Sequence, residues 1–146
     1  LTPLFDSNKT YGHASLTRKI TLNQFDLLKN IWTNRNVVFI VGEGSRFTFI
    51  PELFNNVKAK QIVYSKAINA WSDYQTIMEN VLKFKQNTLI LIALGPTATI
   101  LAKDLSDKGY QALDIGHITA KYLVLKGLLR RAEDLPLKTH KNGSLA

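Results

Sequence analysis

Three short segments hold the residue types that could do chemistry. The first is Gly42-Glu43-Gly44-Ser45-Arg46, which follows the apolar run Val37–Val41. The second is Gly95-Pro96-Thr97-Ala98-Thr99, which follows Thr88–Leu94. The third is Asp114-Ile115-Gly116-His117, an acid and an imidazole beside each other at the end of a further short run. A buried strand that passes through Gly-Pro-Thr into a helix makes a turn with free backbone amides. A helix N-terminus of that kind attracts phosphate or carboxylate. Thr97 or Thr99 could cap the helix or hold a phosphate oxygen. In the first segment, small residues admit a ligand, and Arg46 can pair with a phosphate through two parallel hydrogen bonds.

Each segment also has a plainer account. The glycines of Gly42–Arg46 make a tight turn, Gly95–Thr97 is a capped helix start, and a lone histidine is usually structural. The dinucleotide fingerprint is incomplete, because Phe47 stands where its third glycine belongs and the next strand end, Tyr64-Ser65-Lys66, offers no acid. No Gly-Lys-Ser/Thr phosphate loop and no Asp-x-Asp or Asp-x-Glu metal pair occurs. Asp104 and Asp107 fall on a helix whose solvated face accounts for them. Asp114 meets the Gly-Pro-Thr turn only if the third and fourth strands are neighbours.

Elements that would position these residues follow from hydrophobic periodicity. Leu22, Phe25, Leu28, Ile31 and Trp32 fall at helical spacing over 21–34, with Thr21 or Asn23 as cap and Asn34-Arg35-Asn36 as the break. Val37–Val41 reads as a strand buried on both faces, as in a parallel sheet. A short helix over 49–56 with Pro51 in its first turn comes next, then a strand over 61–64. A helix starting at Asn69 or Ser72 contains Tyr74, Ile77, Met78, Val81 and Leu82. The strand over 88–94 leads to a helix over 97–108 that Gly109 stops. A strand over 110–114 and a helix over 118–131 complete the set, and Pro136 follows. Four alternations of strand and helix predict an α/β, Rossmann-like three-layer domain with a mainly parallel sheet of about four strands. Residues 1–137 form one such domain and residues 138–146 a polar, loose tail. Ligands of such sheets bind at the carboxyl ends of the strands.

Bulk properties narrow the function. The chain has 146 residues, enough for a single core, and 45 % of them are hydrophobic. Its apolar runs fall short of the ~20 residues that a membrane span needs. Cysteine is absent, which excludes disulfides and thiolate metal sites and fits a reducing cytoplasm, the expected compartment. Leu1-Thr2-Pro3-Leu4-Phe5 lacks a secretory leader, and the single methionine is Met78, so a fragment lacking an N-terminal part is expected. The net charge of +8 invites a nucleic-acid reading, but the charges are scattered, with no RNA-binding aromatic signature and no zinc-finger spacing. No nucleic-acid partner is expected. Lys121, Lys126, Arg130 and Arg131 interleave with Tyr122, Leu125, Leu128 and Leu129, a basic amphipathic helix that offers a peripheral membrane contact. Packing of its apolar side on the sheet is the plainer account.

At these residues the chain resembles the GT-D type glycosyltransferases of bacterial protein and surface-polysaccharide glycosylation. The resemblance rests on Gly42-Glu43-Gly44-Ser45-Arg46, Asn69-Ala70-Trp71-Ser72-Asp73-Tyr74, the run Leu91–Leu105 and Gly109-Tyr110-Gln111-Ala112-Leu113-Asp114-Ile115-Gly116-His117. Ala14-Ser15-Leu16-Thr17-Arg18 resembles the family's Ser/Thr-Arg entry near the donor. It covers roughly residues 11–122. The resemblance implies a nucleotide-sugar donor, a UDP-sugar, and transfer of the sugar to a hydroxyl of a glycan or glycoprotein acceptor. It puts Arg18, Gly42, Gly44, Ser45, Arg46, Asn69, Gly95, Pro96, Thr97 and Thr99 around the donor. Asp114 and His117 become the catalytic pair, orienting the sugar or the acceptor. The family's Asp-x-Glu metal motif does not occur in this chain, so Mn²⁺ or Mg²⁺ is expected only in a longer protein and no metal ligand is assigned here. Lys121 stands where the resemblance implies Glu. Both departures keep a second reading open, a non-catalytic nucleotide- or phosphate-binding module derived from that family.

Overall fold

The computed structural model describes Asn8 and residues 22–131 and 134–135. Arg18, Thr21, Pro136 and the 138–146 tail lie outside the described residues, as does the side chain of Asn23. The elements run α1 (Leu22–Lys29), β1 (Asn36–Glu43), α2 (Pro51–Phe54), β2 (Ala59–Lys66), a 3₁₀ turn (Ala70–Asp73), α3 (Tyr74–Val81), β3 (Leu89–Ala93), α4 (Pro96–Asp107), β4 (Gln111–Asp114) and α5 (Ile118–Leu125). The described strands form one sheet in the order β2-β1-β3-β4, every neighbouring pair parallel. The α/β, parallel-sheet expectation holds.

Burial explains why β1 and β3 read as unbroken apolar runs. Val37 to Gly42 and Leu89 to Ile92 are buried throughout, because helices cover both faces of the sheet. On one face Val38, Ile40, Ile90 and Ile92 pack with Ile77, Met78 and Val81 of α3 and Ala98, Leu101 and Leu105 of α4. On the other, Val37, Phe39, Leu89 and Leu91 pack with Phe25, Trp32, Leu53, Phe54 and Ile118. Trp32 also donates its indole N–H to the carbonyl of Leu53 at 2.8 Å, which satisfies its one polar atom in the core.

Helix ends show where local chemistry wins. Gly109, at φ +87°, ends α4 with the paired bonds Gly109 N–H to Ser106 O and Tyr110 N–H to Leu105 O, and Tyr110 packs in the same core as Leu105. The expectation of a helix over 118–131 is corrected. Gly127, at φ +70°, makes the same motif, with Gly127 N–H on Val124 O and Leu128 N–H on Leu123 O, so α5 stops at Leu125. Of the four basic residues placed on one amphipathic helix, only Lys121 is in it. Lys126 caps it, and Arg130 and Arg131 lie beyond. The helix over 21–34 is also shorter: Asn30, Ile31 and Trp32 donate to the carbonyl three residues back, and Asn34 takes φ +55°. Among the described residues no helix is long and apolar enough to cross a membrane.

Asp104 does more than face solvent. It accepts a short hydrogen bond from the hydroxyl of Tyr74, tying α3 to α4. That bond, with burial and the Asp104 charge, pushes the Tyr74 pKa from 10.0 up to about 12. A tyrosine that ionises less readily when folded stabilises the fold below its unfolded pKa, and the stabilisation is lost as pH rises through the folded one. The stability difference between the parent and Tyr74→Phe is therefore expected to shrink between about pH 10 and pH 12. Denaturant titrations of both proteins across that window check this; a constant difference contradicts it.

Candidate donor pocket at the strand ends

The strand order sets the position of the site. From β1 the chain steps outward to β2, and from β3 outward to β4, so the connections diverge between β1 and β3. At such a switch point the carboxyl ends of the strands leave a crevice. A cavity of about 490 Å³ lies there, lined by the turn after β1, the start of α4, the end of β4 and the start of α5. Of the residues singled out in the sequence, it brings together Gly42, Ser45, Arg46, Gly95, Pro96, Thr99, Asp114 and His117.

Gly42 is required by crowding. A Cβ placed on it would lie 2.8 Å from the Cα of Ala67, which closes the cavity wall from the end of β2. Its carbonyl accepts from Ser45 N–H at 3.1 Å, and Gly44 completes the turn at φ +70°. Ser45 Oγ accepts from Phe47 N–H at 3.3 Å, which leaves the hydroxyl hydrogen for a ligand. Arg46 is the only Lys or Arg among the lining residues.

Gly95 is required by geometry instead. It stands at φ +56°, ψ −141°, a conformation essentially restricted to glycine, and nothing lies within 4 Å of a Cβ built there. This bend aims the N-terminus of α4 at the cavity, with Pro96 at its first position and no side chain capping it. The positive end of a twelve-residue helix thus faces the pocket uncapped. Gly95→Ala is expected to cost about 1–3 kcal/mol through backbone strain alone. Urea unfolding of the two proteins measures it, and an unchanged midpoint would show that the bend relaxes freely.

Because β3 and β4 are neighbours, Asp114 does meet the Gly-Pro-Thr segment. Its Oδ2 accepts from Thr99 Oγ1 at 3.1 Å and its Oδ1 from Gly116 N–H at 2.9 Å. Thr99 therefore serves the carboxylate and does not cap α4. His117 is exposed at the cavity edge, and its carbonyl accepts from Lys121 N–H at 2.9 Å at the start of α5.

Other singled-out residues stand apart. Thr97 is buried in the first turn of α4, and Gly44 is not a lining residue. Asn69, at φ +57°, begins the 3₁₀ turn, where its carbonyl accepts from Ser72 N–H and Ser72 Oγ. That turn is held to the end of β2 through Asp73, which accepts from Lys66 N–H at 2.8 Å; this bond holds its carboxyl below the ordinary range. Phe47, Ala67, Thr119 and Ala120 line the cavity without having been anticipated. Ala67 and Thr119 carry no chemical signal in sequence, and only strand order and the start of α5 place them. Phe47 belongs to an aromatic run, Phe47-Thr48-Phe49, that could have been noticed.

Asp114 is the single carboxylate lining the cavity, and both its oxygens are engaged. Among the described residues no three His, Asp or Glu side chains stand close enough to hold a metal ion. A divalent ion favours several carboxylate oxygens, so the described residues that line the cavity do not fit a metal centre.

Comparison with known proteins gives these features a family. Residues 4–142 match the family model described as the glycosyltransferase GT-D fold. The chain is 35 % identical over 103 residues to glycosyltransferase GlyD of Streptococcus pneumoniae serotype 4, and 37 % identical over 98 residues to the probable glycosyl transferase Gly of Streptococcus gordonii. These alignments cover 70 % and 67 % of this chain but 13 % and 14 % of those proteins. A solved glycosyltransferase of Streptococcus sanguinis, containing the domain called DUF1792, superposes with a TM-score of 0.74 at 31 % identity, over 80 % of this chain and 47 % of that one. A second DUF1792 structure, described as a distinct glycosyltransferase fold, superposes with a TM-score of 0.77 at 29 % identity, over 86 % and 48 %. The chain thus spans about half of the solved relatives and a much smaller share of the curated ones. Family model, sequence relatives and architecture agree: this chain belongs to the GT-D fold glycosyltransferases.

Proposed function

We propose that the cavity between the Gly42–Arg46 turn and the start of α4 binds the diphosphate of a nucleotide-sugar donor, a UDP-sugar. In the whole protein the sugar then passes to a hydroxyl of a glycan or glycoprotein acceptor. The observation that carries this reading is the convergence of one arginine, one serine hydroxyl and a helix N-terminus without a side-chain cap on a single cavity. In the transfer, the bond from the anomeric carbon to the diphosphate oxygen breaks and a bond to the acceptor oxygen forms. The diphosphate leaves with added negative charge, and preorganised donors stabilise it. Arg46 and Ser45 are those donors, and the positive end of the α4 dipole adds to them. The acceptor proton goes to a base, and His117, exposed at the cavity edge, is the residue placed to take it. Asp114 acts as an orienting group, since its two oxygens already hold Thr99 and Gly116.

One observation favours the second reading, a binding module without turnover: the cavity has a single, engaged carboxylate. Binding and transfer are therefore expected to separate in this chain. Calorimetry should show saturable UDP binding, while UDP-sugar hydrolysis and transfer with Mn²⁺ stay at background. Absence of UDP binding overturns the donor-pocket proposal. Metal-dependent turnover by this chain alone rejects the second reading and sends the search for carboxylates back to Asp104, Asp107 and Asp114.

A further inference from the structure

The side chain of Arg46 has a partner remote in sequence. Its Nε donates to the carbonyl of Leu135 at 2.9 Å. That carbonyl follows a turn closed by four hydrogen bonds between two residues. Arg131 N–H donates to Asp134 Oδ2 at 2.9 Å, and Arg131 Nε and Nη2 donate to Asp134 Oδ1 at 3.2 and 3.0 Å. Asp134 N–H in turn donates to Arg131 O at 3.1 Å.

A guanidinium carries five N–H donors in a rigid plane. Leu135 takes the one on Nε, which leaves the two terminal nitrogens of a side chain that lines the cavity. Those two nitrogens form the fork that grips a phosphate through parallel hydrogen bonds. An exposed arginine without such a tether must give up its rotamer freedom on binding. We propose that the turn closed by Arg131 and Asp134 is a positioning element for anion binding: through the carbonyl of Leu135 it holds Arg46 with its terminal fork presented to the pocket. This rests on the donor-pocket reading and extends it to a segment beyond the last helix.

Charge alone predicts the opposite sign from positioning. Asp134 is an acid beside an anion site, so its removal should strengthen anion binding if only the field matters. Removal of a positioning turn should weaken it. The Arg131–Asp134 pair is exposed, and exposed pairs add little to stability.

The test is calorimetric titration of the full chain with pyrophosphate, for the parent, Asp134→Ala, Asp134→Asn, Arg46→Ala and the double variant Arg46→Ala/Asp134→Ala. Asp134→Ala is expected to weaken pyrophosphate binding about threefold to tenfold, the range for immobilising one long side chain. Asp134→Asn keeps an oxygen for the Arg131 N–H groups and should recover most of the affinity. The double variant should bind no more weakly than Arg46→Ala, because without the guanidinium the turn has nothing to position. Thermal midpoints should match throughout. If Asp134→Ala binds equally or more tightly while Arg46→Ala binds more weakly, the positioning role is overturned and the donor pocket stands. Losses that multiply in the double variant overturn it too. If the parent does not bind pyrophosphate, or Arg46→Ala binds as the parent does, both the positioning role and the phosphate role of Arg46 fall.

Discussion

Phe39→Ala is expected to lower the stability of this chain by about 3–5 kcal/mol, the cost of removing a fully buried aromatic ring from a core that cannot close around the gap. Phe39 sits in the middle of β1 with no exposed surface. Its ring meets those of Phe49 and Phe54 edge to face, each at 5.0 Å, and that of Phe47 at 6.2 Å. Such contacts add to the burial of the rings. Phe47 also lines the cavity. The same substitution should therefore weaken UDP binding under conditions where the variant is still folded. Urea unfolding monitored by circular dichroism measures the first effect and calorimetry the second. A loss near 1 kcal/mol would mean that Phe47, Phe49 and Phe54 collapse into the space.

Arg46→Ala carries the largest expected effect on binding. A charge-assisted pair of hydrogen bonds to phosphate is worth enough that its loss should weaken UDP binding about tenfold to hundredfold. Arg46→Lys should recover only part of this, because an ammonium group keeps the charge and lacks the planar fork. Neither variant should shift the thermal midpoint appreciably, since the side chain is exposed and tethered to a single carbonyl. Calorimetry on the three proteins settles the order. Equal affinities for parent and Arg46→Lys would reduce Arg46 to a surface charge.

Much of this architecture is written locally. The continuous apolar runs of β1 and β3 announce two-sided burial, and two-sided burial in turn requires the helices on both faces. The stop at Gly109 was legible because a clear helical pattern precedes it. The equivalent stop at Gly127 was not, because Leu128 and Leu129 continue the apolar pattern past the glycine, and only the closed hydrogen bonds reveal the turn. The turns at Gly42 and Gly95 could be named from sequence as places of backbone freedom. Their reasons differ, crowding by Ala67 in one case and a glycine-only bend in the other, and both need coordinates. Whether Asp114 meets Thr99 depended on strand order, a long-range property that no local pattern encodes. The tether from Arg46 to Leu135 spans 89 positions and had no signal at all. The partner of Asp104 was missed for a similar reason: an acid on a helix looks solvated until the neighbouring helix delivers Tyr74.

A donor diphosphate is expected to sit where β1 and β3 diverge. Titration of the isotopically labelled chain with UDP, followed by the shifts of its backbone amides, tests it most directly. The largest saturable shifts are expected on Gly42, Ser45 and Arg46, on Gly95 and Thr99, and on Asp114, Gly116 and His117, all of which line the cavity. Shifts confined to the opposite, amino ends of the strands, around Asn36, Ala59 and Leu89, would contradict it and place the nucleotide on the wrong edge of the sheet for this pocket.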